Sequence, residues 1–93
     1  MVFASVTTSD DTSTTERVAN VVQGTLMKHS ISRSVRADDN LSHCGLSSMA
    51  LVELALSVEA EFSLAIPDSE MVPANFRSIS AISKLVSALL EAN

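Results

Sequence analysis

The chain has 93 residues, enough for one small domain, and carries six Lys and Arg against eleven Asp and Glu. The resulting net charge of -5 excludes nucleic-acid binding of the usual kind, which relies on basic side chains to neutralise phosphates, and suits a protein steered towards basic surfaces. A lone cysteine, Cys44, excludes an internal disulfide framework, and no apolar run is long enough to span a bilayer.

Met1 to Val6 lack a basic n-region, so no signal peptide is expected and the reading is cytoplasmic. Three Phe, no Trp or Tyr, two Gly and two Pro point to helices joined by irregular loops, because breakers and β-favouring aromatics are scarce. Residues 1–13, rich in Ser, Thr and Asp without periodicity, read as a disordered N-terminal tail. Ser13-Thr14-Thr15-Glu16 has capping-box spacing, and Val18, Val21, Val22 and Leu26 recur at helical intervals. Together they predict a first helix over 14–28. A long loop follows over 29–46, with Ile31, Val35 and Leu41 available to pin it to the bundle.

The second helix is expected from Ser47 or Ser48 to about Phe62. Leu51, Leu54, Ala55, Val58 and Phe62 share its core face, while Met49, Val52 and Leu56 form a second apolar stripe. One core face is ordinary; a second asks for a partner or a ligand. Ile66-Pro67-Asp68 marks a turn, Pro73 opens a short third helix near 73–77, and Ser78 caps a fourth near 79–91 with Ile79, Ile82, Val86 and Leu89 inward. The fold expected is all-α, a small four-helix bundle whose domain spans 14–91.

Asp39-Asn40-Leu41, Gly45-Leu46-Ser47-Ser48-Met49, Val52-Glu53-Leu54, Glu59-Ala60-Glu61-Phe62 and Ile66-Pro67-Asp68 together resemble the acyl carrier protein family. Pro73 to Ile79 also resembles the third-helix region of some carriers. The resemblance covers residues 14 to 91 and implies a four-helix fold whose second helix opens on a serine bearing 4'-phosphopantetheine; that serine maps onto Ser48. A phosphodiester there would sit at a helix N-terminus, where free amides and the dipole favour negative charge. The implied role is non-enzymatic: an acyl cargo is held as a thioester on the arm and delivered to partner enzymes in lipid or secondary-metabolite synthesis. The implied partners are a phosphopantetheinyl transferase, an acyl- or aminoacyl-loading ligase and a downstream acyltransferase or synthase. The carrier itself is expected to be a monomer.

The sequence departs from the family pattern at Ser47, where Asp is usual, and at Ala50 and Ala60, where further acids are typical of fatty-acid carriers. These departures indicate a specialised carrier with dedicated partners. The expected partner face comprises Ser47, Met49, Val52, Glu53, Leu56 and Glu59.

Two alternatives stand beside the acyl carrier: an aminoacyl or peptidyl carrier loaded by an adenylating ligase, and an unmodified helical adaptor. A nucleophilic role for Ser48 lacks the base and orienting group it requires, and Gly45 to Met49 is not a nucleophile elbow. His29, His43 and Cys44 have no paired ligand spacing, so no metal site is expected. Cys44 reads as a small buried hydrophobe and His43 as solvated; Arg77 stays open between phosphate, acid and water.

Overall fold

The computed structural model describes the backbone of residues 2–92 and the side chains of residues 13–91. Among these, three α-helices follow one another: α1 (Val2–Lys28), α2 (Ser48–Phe62) and α3 (Ile79–Ala92). Two 3₁₀ turns, Asp68–Glu70 and Pro73–Phe76, bridge α2 to α3. No strand occurs among the described residues.

Helix α1 starts well before the expected residue 14, so the Ser13–Glu16 box lies inside the helix. No Gly or Pro stands between Val2 and Gln23, and Ser, Thr and Asp weaken a helix without ending it. The expected third helix over 73–77 is a single 3₁₀ turn. Pro73 opens it with a preset φ, and its four residues are too few for an α-helical ladder. Three α-helices and two 3₁₀ turns therefore replace the expected four helices.

Both α1 and α2 stop on a serine rather than a glycine. Ser30 and Ser63 adopt left-handed φ of 60° and 52°, which reverses the chain. Ile31 N–H then donates back to Leu26 O at 2.8 Å, and Leu64 N–H to Glu59 O at 3.1 Å. These are the 6→1 bonds of a Schellman closure, and Ile31 and Leu64 pack their side chains on the core as that motif favours.

The core draws on all three α-helices and on Phe76 of the second 3₁₀ turn. Val18, Val22 and Leu26 of α1 meet Leu54, Ala55, Val58 and Phe62 of α2 and Ile79, Ile82 and Val86 of α3. The α2 residues are those of the predicted core face, although Leu51 is only half-buried. Leu41 and Leu46 are buried in the first loop, with Ile31 and Val35 packed against the same cluster. Backbone bonds fix that loop on the far segment: Leu41 N–H to Arg77 O at 2.7 Å and Ser80 N–H to Ala37 O at 2.9 Å. Ser80 Oγ adds a bond to Asp38 Oδ1 at 3.0 Å. The loop thus holds the start of α2 in a fixed place.

Candidate functional site

Ser47 ends the first loop in extended backbone (φ -78°, ψ 173°) and caps α2. Its Oγ accepts from Ala50 N–H at 3.2 Å, and its carbonyl accepts from Leu51 N–H at 2.9 Å. One of the amides that a helix start leaves unpaired is thereby satisfied by a side chain, without the charge that an aspartate would bring. Ser48 is the next residue and the first of α2. It is exposed, and its hydroxyl has no hydrogen-bond partner among the described residues.

The approach to Ser48 is shaped by burial on one side and exposure on the other. Cys44 is buried and unpaired, as a small hydrophobe, whereas Ser42 and His43 face solvent. Gly45 turns the chain at φ +108°, a conformation that side chains disfavour. Beside Ser48 lies a groove of about 510 Å³, floored by Leu51, Ala55 and Phe76 and walled by Val52, Met71 and Val72. Ser48 and Ser42 stand at its polar end.

The second stripe is on the surface: Met49 is 77% exposed, Val52 59% and Leu56 56%. The acids of α2 are each engaged. Glu53 Oε1 lies 3.2 Å from His29 Nε2, Glu59 Oε2 accepts from Ile66 N–H at 2.7 Å, and Glu61 Oε2 accepts from Arg17 Nε at 2.8 Å. Arg17 also donates to Glu61 O at 2.6 Å and lies 4.3 Å from the Phe62 ring centroid. Glu59 thus serves the turn after α2, a role its place in the sequence did not reveal. The Arg77 side chain is exposed and has no hydrogen-bond or ion-pair partner among the described residues, while its carbonyl accepts from Leu41 N–H.

Of the residues expected at the site, Ser47, Ser48, Met49 and Val52 come together at the head of α2, and Leu56 continues their line one turn on. Met71 and Val72 were missed. Their signal was an apolar pair between Pro67 and Pro73, a segment too short to show periodicity. Among the described residues, no group of three His, Cys, Asp or Glu is placed to hold a metal ion. No helix there is long and apolar enough to cross a membrane.

The family model for the phosphopantetheine attachment site matches residues 16–86, from α1 well into α3. The chain belongs to this family of carrier proteins. Its prosthetic group is therefore 4'-phosphopantetheine, borne covalently on a serine. Aminoacyl carrier protein 2 of Bradyrhizobium diazoefficiens is 46% identical over 70 residues, covering 75% of this carrier and 79% of the relative. Aminoacyl carrier protein 1 of the same organism is 36% identical over 81 residues, covering 87% and 90%. The fold resembles a chain in the crystal structure of a Bradyrhizobium japonicum glycine:carrier-protein ligase complexed with its cognate carrier protein and an analogue of glycyl adenylate. That match has a TM-score of 0.69 at 36% identity and covers 80% of this carrier and 96% of that chain. The comparisons favour the aminoacyl alternative over the lipid-type cargo that the sequence put first, and the phosphopantetheine family displaces the unmodified adaptor.

Proposed function

We propose that this protein is an aminoacyl carrier, with phosphopantetheine on Ser48 and an activated amino acid delivered to it by an adenylating ligase. The observation that carries the site is the exposed, unengaged hydroxyl of Ser48 at the first residue of a capped helix, inside the stretch that the family model matches. When bound, the arm supplies a terminal thiol on which the cargo is held as a thioester.

The residues fit such a group. Ser47 fixes the helix start without burying its neighbour, and the amides of the first turn favour a negative charge at Ser48. Ser42 and the apolar groove beyond it offer a surface along which an arm can lie. Presentation is the whole of the carrier's part: Ser48 has no base bonded to it among the described residues, and the proposal requires none. Tethering raises the effective concentration of the cargo at each partner's active site.

The aminoacyl cargo is supported by the relatives' names and by the neighbour's complex with a glycine-loading ligase. The partner face is Met49, Val52 and Leu56, with Ser47, Glu53 and Glu59 serving it from the edges through capping and bonding. A phosphopantetheinyl transferase and a loading ligase meet this face in turn. The unit that does so spans residues 14–91, and the carrier works as a cytoplasmic monomer.

Intact mass before and after incubation with coenzyme A and a broad-specificity phosphopantetheinyl transferase, with Ser48→Ala beside it, tests the attachment. One added phosphopantetheine on the wild type alone is expected, and an equal gain by Ser48→Ala would move the site elsewhere. The loaded arm is then offered amino acids with an amino-acid ligase and fatty acids with an acyl ligase. Charging by the fatty acid only would restore the lipid-type cargo.

A further inference from the structure

We propose that the segment from Lys28 to Arg36 is a basic ledge that receives an acidic rim of the loading ligase and sets which way round the two proteins meet. This rests on the aminoacyl-carrier reading above and adds the charge that the partner must carry.

Charge is unevenly laid out along this chain. Lys28, Arg33 and Arg36 fall close together, and no Asp or Glu stands between Glu16 and Asp38. The other three Lys and Arg share the chain with all eleven acids. A protein of net charge -5 thus shows one stretch of the opposite sign, and at contact range a partner feels the local charge rather than the total. The Lys28, Arg33 and Arg36 side chains are exposed, and none has a hydrogen-bond or ion-pair partner among the described residues.

The segment is held in place. Ile31 and Val35 pack on the core, while Ser32, Arg33 and Ser34 between them stay exposed. The Arg33 carbonyl accepts from Gln23 Nε2 at 3.1 Å, and the Arg36 amide donates to Asp39 Oδ2 at 2.9 Å. One residue on, the Ala37 carbonyl accepts from Ser80 N–H at 2.9 Å. The backbone that carries both arginines is therefore already fixed, and only their side chains lose freedom when a partner binds.

The ledge also borders the site. His29 Nε2 lies 3.2 Å from Glu53 Oε1, and Ile31 Cδ1 lies 3.2 Å from where a Cβ on Gly45 would stand. It therefore touches both the loop that leads into Ser48 and one flank of α2. That flank faces away from the groove, because Glu53 lies about half a turn round the helix from Leu51 and Ala55. An enzyme that takes the arm from Ser48 covers ground on both sides of it. On this side it meets cations, and complementarity requires carboxylates opposite them. A guanidinium binds a carboxylate through two parallel bonds, which fixes orientation as well as sign. Nucleic acid is the poorer counterpart, since three cations make few phosphate contacts on a chain that also carries eleven acids.

The test uses the full chain in its phosphopantetheine-bearing form, the Bradyrhizobium japonicum glycine:carrier-protein ligase, ATP and glycine. KM for the carrier is measured in about 0.05 M and about 0.5 M salt, between which exposed charges are largely screened. In low salt, Arg33→Glu and Arg36→Glu should each raise KM about fivefold and the Gln variants about twofold, with kcat little altered. In high salt these differences should shrink below about twofold. Lys84→Glu makes the same change of net charge at an exposed position on α3 and should leave KM unmoved. Circular dichroism checks that each variant keeps its helices, and the Gln variants decide where a reversal does not. Ledge variants with the wild-type KM, or an equal rise in Lys84→Glu, overturn the inference and leave the aminoacyl carrier standing. Binding of a labelled RNA hairpin by the wild type, lost in Arg33→Glu, would assign the ledge to nucleic acid and overturn it as well. A wild type that the ligase does not charge with glycine overturns the aminoacyl reading and this inference with it.

Discussion

Ser30 and Ser63 hold a backbone conformation that costs an L-residue about 1 kcal/mol or more, because Cβ crowds the following carbonyl. Ser30→Gly removes that crowding and returns some flexibility to the unfolded chain, so a net stabilisation of about 0.5 kcal/mol is expected from the urea midpoint. A lower midpoint would mean that the serine side chain contributes more than the strain removes. Gly45→Ala runs the other way. Its φ is +108°, and a Cβ there would come within 3.2 Å of Ile31 Cδ1. Loss of at least about 1 kcal/mol is expected, since neither the backbone nor a packed isoleucine yields freely. Ser47→Ala strips the cap from the Ala50 amide and should lower stability by about 1 kcal/mol. An unmoved midpoint would show that water serves that amide as well as Ser47 does.

At the scale of elements, α2 was the most legible part of the chain. The inward phase of Leu54, Ala55, Val58 and Phe62 follows from spacing alone, because a half-buried helix must repeat its apolar residues with its own period. Its start was legible only as Ser47 or Ser48, and the structure puts it at Ser48 with Ser47 as cap. Ser78 was legible for the same local reason, and its Oγ accepts from Ala81 N–H at 3.1 Å. The start of α1 was not: a capping-box pattern signals a possible helix start, and nothing local tells whether the helix continues behind it. Nor was the His29–Glu53 or the Arg17–Glu61 pair, each joining residues far apart in sequence that only the packing of α1 on α2 brings together. The two apolar stripes of α2 now separate by experiment. Leu54→Ala should cost about 2–5 kcal/mol as a buried truncation, and Leu56→Ala less than about 0.5 kcal/mol as a surface one. Equal losses in chemical denaturation would mean that Leu56 is packed and that the stripe offered to partners is core.

The whole molecule is longer than its core requires. A compact chain of 93 residues has a radius of gyration of roughly 12 Å, whereas this one measures 13.3 Å and extends 43 Å along its longest axis. A helix of 27 residues is itself about 40 Å long, so α1 alone sets that dimension. Among the described residues, the core residues it contributes are Val18, Val22 and Leu26 of its second half, and the family match likewise opens at residue 16. Everything around Ser48 — cap, groove and apolar stripe — hangs on α2, the first loop and the two 3₁₀ turns, which are braced by that second half and by α3. A fragment of residues 14–91 should therefore fold in one cooperative transition, with a melting midpoint within about 4 °C of the full chain. It should also accept phosphopantetheine at the same rate. A fragment that melts far lower, yet is still modified once folded, would assign the first half of α1 to stability. One that folds normally but is modified slowly would assign it to the transferase, and the carrier unit would then have to be redrawn to include it.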